Sequence, residues 1–283
     1  MSETWRGTLR KLRVAPGATA EAPAVYALAD GHWEPDARAL DQPLNPYLGR
    51  QVRLEFTGRI ACLYCGRSTR KTFGEGFCYP CFQARAEADI CIVKPELCHY
   101  HNPQDPCRDN EFAHRHCFRP HVLYAALTSA PKVGLTRREN IPTRWLDQGA
   151  TLAVPLAELS DRRAAGLIEA RLRDEQGLAD RTHWTRMLRQ AAGDGDLDEF
   201  ASRVLALLEA FDVAPLPPAE RLVHRFAYPV LTYPDKVKGL TLDRTPQVGG
   251  VLQGIKGQYL LLDTGVFNLR KHAGYKTVAT LGD

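Results

Sequence analysis

Two pairs of cysteines, Cys62-x2-Cys65 and Cys78-x2-Cys81 with twelve residues between them, constrain what this chain can fold into more than any other feature. A CxxC turn aims two sulfurs at one point, and a second such turn brought alongside completes a tetrahedral thiolate shell of the kind that holds zinc. Gly66, Gly74 and Gly76 permit turns around a metal, and Tyr79-Pro80 leads the second pair into a helix-like run through Ala88. A knuckle, a hairpin and a helix in that order predict a treble-clef or ribbon-like finger. The opening Met1-Ser-Glu-Thr-Trp-Arg carries no apolar signal core and no apolar stretch reaches membrane-spanning length, so a cytoplasmic protein with reduced thiols is expected.

The remaining cysteines, Cys91, Cys98, Cys107 and Cys117, are interleaved with His99, His101, His114 and His116, so all eight fall between positions 62 and 117. A second zinc on Cys91, Cys98, Cys107 and Cys117 is the first reading, with His101 or His116 as the substitute ligand; an iron–sulfur cluster needs the same thiolates. Metal would stand in for a core, because Gly66 to Pro120 has few aliphatic residues. The metal also alters the charge. The formal net charge of +4 counts cysteine as neutral, whereas each tetrathiolate zinc carries minus two, so two sites bring the chain to about zero. Global charge therefore argues for no partner, and a nucleic-acid footprint must be local: Arg67, Arg70 and Lys71 in the first finger, or Arg137 and Arg138 further on. Solvated surface is the plainer reading of such runs.

The overall expectation is an α+β fold in four parts. Residues 1–58 read as strands at Gly7 to Val14, Ala24 to Ala29 and Gln51 to Thr57. The zinc-binding block spans 59–119. Residues 120–213 read as α/β: strands at Val122 to Leu127 and Lys132 to Leu135, a short helix from Pro142 to Gln148 stopped by Gly149, a strand at Thr151 to Ala157, then helices. The last of these, Asp196 to Phe211, has Asp196 and Glu199 spaced as a capping box. Residues 214–283 return to strands: Tyr228 to Thr232, Leu240 to Leu242, Gly250 to Ile255, Gln258 to Asp263 and Val266 to Arg270. The two strand-rich ends are expected to pair in one barrel-like unit.

Chemistry, if any, belongs to the α/β part. Strand alternation puts Tyr124 on a face with Val122 and Ala126, and Lys132 on a face with Gly134 and Thr136, so the tyrosine, the lysine and a small gap can meet a common ligand. On a helix from Asp161 to Gln176, Glu169 falls within about 60° of the apolar line Ala165, Ile168 and Leu172, facing the protein. A carboxylate there needs a cation, either a metal or a partner such as Arg144.

The order and spacing of Val122 to Leu188 resemble the core of the GIY-YIG nuclease superfamily. The resemblance implies that Tyr124 helps to activate the nucleophile, Arg144 contacts the phosphate and Glu169 binds one divalent metal, magnesium or manganese. Where that family's second motif has a tyrosine before Ile-Gly, this chain has Lys132 before Val133-Gly134. His183, just before Trp184, falls where the family often has a polar residue near the site. The whole chain also resembles an uncharacterised bacterial family, through Cys62-Leu-Tyr-Cys-Gly-Arg, Gly76-Phe-Cys-Tyr-Pro-Cys-Phe, Lys132-Val-Gly-Leu-Thr-Arg, Ile141-Pro-Thr-Arg-Trp-Leu-Asp-Gln-Gly-Ala150 and Gly254-Ile-Lys-Gly-Gln-Tyr-Leu. That resemblance implies no activity.

Three functions stay open: a metal-dependent nuclease or phosphodiesterase, a nucleic-acid-binding protein without chemistry, and a zinc-structured scaffold or regulator that contacts another protein. The run Gly254 to Tyr259, with Asn268 to His272, reads either as a binding edge for nucleic acid or as tight turns carrying solvated basic residues.

Overall fold

The alternating run Tyr275–Leu281 forms a strand in the computed structural model, which describes residues 2–30 and 41–282. Its odd-numbered residues Tyr275, Thr277, Ala279 and Leu281 are buried, and Lys276 faces out. It lies between Glu3–Thr8 and Gln51–Ala61, both antiparallel to it, so the strand-rich ends of the chain do share one sheet. The sheet continues through Gln247–Lys256, Tyr259–Leu262, Gly265–Asn268 and Gly239–Leu240, and Ser68–Thr69 pairs off the side of Gln51–Ala61. This sheet belongs to the first of two compact units, drawn from the chain up to Gln83, from Leu188–Ala191 and from Ala227 onward. A small sheet of Arg13–Ala15, Val25–Leu28 and Gln42–Pro43 completes it.

The expected barrel does not form. Glu3–Thr8 and Gly239–Leu240 end the sheet at opposite edges without pairing to each other. Closure needs a continuous stagger between strands of matched length, and the last strand offers two residues in a parallel pair. The expected strand Gly7 to Val14 is also broken, into Glu3–Thr8 and Arg13–Ala15. Leu9 and Leu12 are both buried, and two residues three apart cannot point to one face of a strand. Tyr228 to Thr232 contributes only an isolated bridge from Val230 to Gly254, where a Cβ on Gly254 would stand 2.8 Å from Val230.

The second unit comprises Ala84–Met187 and Ala192–Phe226. Its sheet runs His224–Arg225, Leu152–Leu159, His121–Leu127, Pro131–Arg137, antiparallel throughout, with all seven residues of His121–Leu127 buried. One face packs Leu123, Ala125, Leu127 and Val133 against helices Arg162–Asp174 and Leu197–Ala210 through Leu172, Val204 and Leu208. The opposite face packs Tyr124, Ala126 and Ala153 against Trp145 of the short helix Thr143–Asp147. Asp196 caps its helix as expected, accepting from the amides of Asp198 at 2.8 Å and Glu199 at 3.1 Å.

The Gly254 to Tyr259 run is a tight hairpin with Gly257 at φ +60°, but its lysine is not solvated. Lys256 is wholly buried, donates to the carbonyls of Gln190 at 2.8 Å and Ala191 at 3.2 Å, and lies 5.3 and 5.4 Å from the rings of Tyr228 and Tyr233. Burial pushes its pKa down to about 8. The folded pKa is thus below the unfolded value of about 10.4, so the unfolded chain binds more protons between those pH values and stability must rise with pH across them. Thermal melts from pH 8 to 10 are expected to show this rise, and Lys256→Met is expected to reduce it; an unchanged profile in the variant would refute the assignment to Lys256.

Candidate functional site

Cys62 follows directly from strand Gln51–Ala61, and its turn is closed by Cys62 N–H to Arg67 O at 2.8 Å and Gly66 N–H to Cys62 O at 2.9 Å. Gly66 takes φ +71° there. Cys78 and Cys81 flank the start of the short helix Tyr79–Ala84, and Leu63 N–H to Gly76 O at 2.9 Å ties the two turns together. Gly76 is required by this approach, since a Cβ would stand 2.7 Å from Leu63. The ligand atoms of Cys62, Cys65, Cys78 and Cys81 all lie within 4.8 Å of one another, and the sulfurs of Cys65 and Cys78 are 3.8 Å apart. Tetrahedral zinc with bonds of about 2.3 Å sets its sulfurs about 3.8 Å apart, so the residues fit the metal. Burial pushes the Cys62 thiol up, but the amides of Cys65, Cys78 and Tyr64 aimed at its sulfur outweigh this and bring it to about 7. Burial and the neighbouring sulfurs push Cys78 and Cys81 up.

The second set is arranged differently. Cys91, Cys98 and Cys117 line one small cavity, whereas the Cys107 thiol lies 3.5 Å from Asp109 O as its donor. The group whose ligand atoms fall within 4.8 Å is instead Asp89, Cys91 and His99. Asp89 is buried, paired with Arg108 at 3.0 Å and His99 at 3.3 Å, and it accepts from the Cys91 amide at 3.3 Å. Neither expected substitute joins these groups. His101 is exposed and edge-on to Tyr100, and His116 stacks on Phe112 while burial, with Arg137 nearby, drives its pKa to about 3. His99 carries no spacing signal that separates it from its neighbours; its place comes from the turn around Asp89.

Tyr124, Lys132, Arg144 and Glu169 do come together. Register pairs Tyr124 with Gly134 and Ala126 with Lys132, which puts the tyrosine and the lysine on one face. The tyrosine ring lies over Gly134, where a Cβ would stand 2.5 Å from the hydroxyl. That hydroxyl donates to Gln148 Oε1 at 2.8 Å, and burial raises its pKa while the nearby Arg144 charge opposes the rise. Lys132 is 2% exposed and donates from Nζ to Asp180 O at 2.8 Å. Burial pulls its pKa down to about 8, helped by Arg144 and opposed by Glu169 and Asp180. Burial pushes Glu169 up, while Lys132, Arg144 and Arg162 pull it down. Glu169 is half-buried, yet among the described residues its carboxylate has no hydrogen-bond or ion-pair partner, so the Arg144–Glu169 pair weighed from sequence is not formed. Gln148, Asp180 and Arg162 were not singled out by sequence reasoning. Gln148 stands four residues from Arg144 and Arg162 seven from Glu169, spacings that share a helix face and signal two of the three.

His183 is not part of this group: Nδ1 meets Thr185 Oγ1 at 3.1 Å and its amide donates to Ser129 Oγ at 3.0 Å. Arg138 is paired with Glu158 at 2.5 Å and Glu220 at 3.4 Å, and Arg137 with Glu139 at 3.2 Å. Arg67, Arg70 and Lys71 are exposed and have no ion-pair partner among the described residues.

Residues 49–277 match the model of a family described as "Protein of unknown function (DUF2797)". The chain belongs to this family. Comparisons with curated proteins and with solved structures find no match. The match to DUF2797 takes in both cysteine sets and the Tyr124 cluster, so these features lie within the family's domain. No described helix is long and apolar enough to cross a membrane.

Cys65→Ser is expected to lower the zinc content by one ion per chain, by elemental analysis, and to destabilise the protein by on the order of 4 kcal/mol. Gly134→Ala is expected to cost about 1–3 kcal/mol by overlap with the Tyr124 hydroxyl. In a Tyr124→Phe background, which removes the nearest atom, the cost should fall; equal costs in denaturant titrations of both backgrounds would refute the contact.

Proposed function

We propose that this DUF2797 protein binds nucleic acid and hydrolyses phosphodiester bonds at the Tyr124, Lys132, Arg144 and Glu169 cluster. The observation that carries the reading is the half-buried Glu169 carboxylate, set among Lys132, Arg144 and Arg162 but directly paired with none of them. Buried carboxylates are ordinarily paired or coordinate a metal, so this one fits a divalent cation and the phosphate that comes with it. The Tyr124 strand, the Lys132 strand, the Arg144 helix and the Glu169 helix come in that order along the chain, the order on which the sequence resemblance to the GIY-YIG core rests.

Magnesium or manganese held by Glu169 would supply positive charge at the phosphoryl oxygens. Arg144 adds charge from its own helix as negative charge builds in the transition state. The Tyr124 hydroxyl, which burial keeps protonated and which donates to Gln148, would accept a hydrogen bond from the nucleophile and orient it, the proton itself passing to solvent. Lys132, where the GIY-YIG superfamily has its second tyrosine, pulls the Glu169 pKa down against the larger upward push of burial and favours an anionic ligand.

Zinc at Cys62, Cys65, Cys78 and Cys81 holds a finger of knuckle-and-helix type that presents a contact surface. Support comes from Arg67, Arg70 and Lys71, exposed and without an ion-pair partner among the described residues, and from nearby rings: Lys71 Nζ lies 4.8 Å from the Phe73 ring, Phe73 stacks on Phe82 at 5.5 Å, and Tyr79 is 53% exposed. Cations follow a phosphate backbone and exposed rings accept bases. The same surface supports a second reading, binding without cleavage.

Single-stranded and duplex DNA and RNA, incubated with the protein and magnesium or manganese at low salt, test this. Cleavage is expected, lost in Glu169→Gln and reduced about 10²-fold in Arg144→Ala. Binding should survive Glu169→Gln and lose salt dependence when Arg67, Arg70 and Lys71 are neutralised, with the log–log slope falling by about 2–3. Binding without cleavage would leave the second reading. No binding at low salt would overturn both in favour of a scaffold that contacts protein.

A further inference from the structure

We propose that Cys91, Cys98 and Cys117 form a second zinc site, a three-thiolate cage closed on one side by Arg162. The three cysteines, with Pro95, Phe118, Asp161, Arg162 and Arg163, line a cavity of ≈ 10 Å³ in the second unit. That is room for one ion or one water molecule. Three soft sulfurs around one void suit zinc, and Arg163 and Asp161 in the same lining offset each other's charge. The three sulfurs surround the void without touching across it, since they are not among the groups whose ligand atoms all lie within 4.8 Å. An ion at the centre would draw them to the sulfur spacing of about 3.8 Å that zinc imposes.

Arg162 supplies the independent observation. Its Nη2 donates to Ile92 O at 2.5 Å, but its Nε is buried and has no hydrogen-bond partner. A buried guanidinium with an idle N–H is costly, and neutral thiols are weak acceptors for it. Thiolates on zinc accept N–H hydrogen bonds well, and three of them on a dication leave one negative charge, matched by Arg162. His99 and Asp89, whose ligand atoms lie within 4.8 Å of that of Cys91, are the neighbours placed to supply a fourth ligand. Arg162 opens the helix that carries Glu169, so the metal would also fix the start of that helix.

Elemental analysis of the full chain, purified with zinc present, is expected to find two ions per chain. Cys98→Ser and Cys117→Ser should each retain one, as should Cys62→Ser, and the Cys62→Ser/Cys117→Ser double variant should retain none. Arg162→Met should weaken the second ion about tenfold or more in chelator competition. One ion in the wild type, wholly removed by Cys62→Ser, would overturn the site. Should the cysteine variants fail to fold, alkylation of the wild type decides. Cys91, Cys98 and Cys117 are expected to resist a maleimide in the zinc-loaded chain and to react once zinc is chelated; free reaction with zinc bound would overturn the site equally.

Discussion

The central position of His121–Leu127 governs the second unit. A strand paired on both edges and covered on both faces has no freedom of register, because a slip by one residue would exchange its two faces. With Leu123, Ala125 and Leu127 committed to the helices, Tyr124 and Ala126 must face Trp145. Gly134 then becomes obligatory opposite Tyr124, because only a missing side chain leaves space for the ring. Lys132, two residues earlier on the neighbouring strand, falls on the same face and is buried by the same packing. A single hydrophobic commitment thus delivers a tyrosine, a lysine and a gap to one place.

Buried charge is the recurring consequence. Lys132, Lys256 and Asp89 are buried and Arg162 has a buried Nε, and each is answered locally in a different way. Lys256 is satisfied by two carbonyls and two aromatic faces, and Asp89 by Arg108, His99 and a backbone amide. Lys132 has one carbonyl and the field of Glu169. Arg162 and Glu169 are the incomplete cases among the described residues, one with an idle N–H and the other with a carboxylate that has no direct partner there. Saturated charges hold a fold together, whereas unsaturated ones mark where a ligand would be stabilised most. Both incomplete residues lie on the same helix, two turns apart.

The sequence made the periodic elements legible and left the local ones hidden. Strands near Val122 to Leu127 and Thr151 to Ala157, and the Asp196 helix, lie where apolar spacing puts them, because a buried face repeats over several residues. The first four cysteines were legible because CxxC turns create their own geometry. Cys91 to Cys117 were not, because long irregular intervals fix no relative position and Asp89 and His99 enter through turns without a spacing signature. Lys256 was misread for a related reason: a lysine at a hairpin ordinarily reaches solvent, and only the segment Leu188–Ala191 lying over it prevents that. The break after Thr8 likewise follows from Leu9 and Leu12 sharing the core, a tertiary demand that overrides local strand preference.

Charge accounting shows where a polyanion can be recognised. A tetrathiolate zinc at Cys62, Cys65, Cys78 and Cys81 removes two charges from the formal +4, so long-range attraction from the whole chain is weak. Basic residues then matter only where no carboxylate has claimed them. Arg137 and Arg138 are claimed by Glu139, Glu158 and Glu220, and would have to give up existing pairs to take a phosphate. Arg67, Arg70 and Lys71 would give up nothing among the described residues, and they project from a loop whose backbone is fixed by the thiolate turns. A polar contact gains most when its protein side is both unpaired and held in place, because neither desolvation of a pair nor ordering of a chain then opposes it. A metal on the four cysteines would supply the second condition, and the lack of an ion-pair partner among the described residues supplies the first, which makes this segment the stronger candidate for contact and the Glu169 helix the candidate for chemistry.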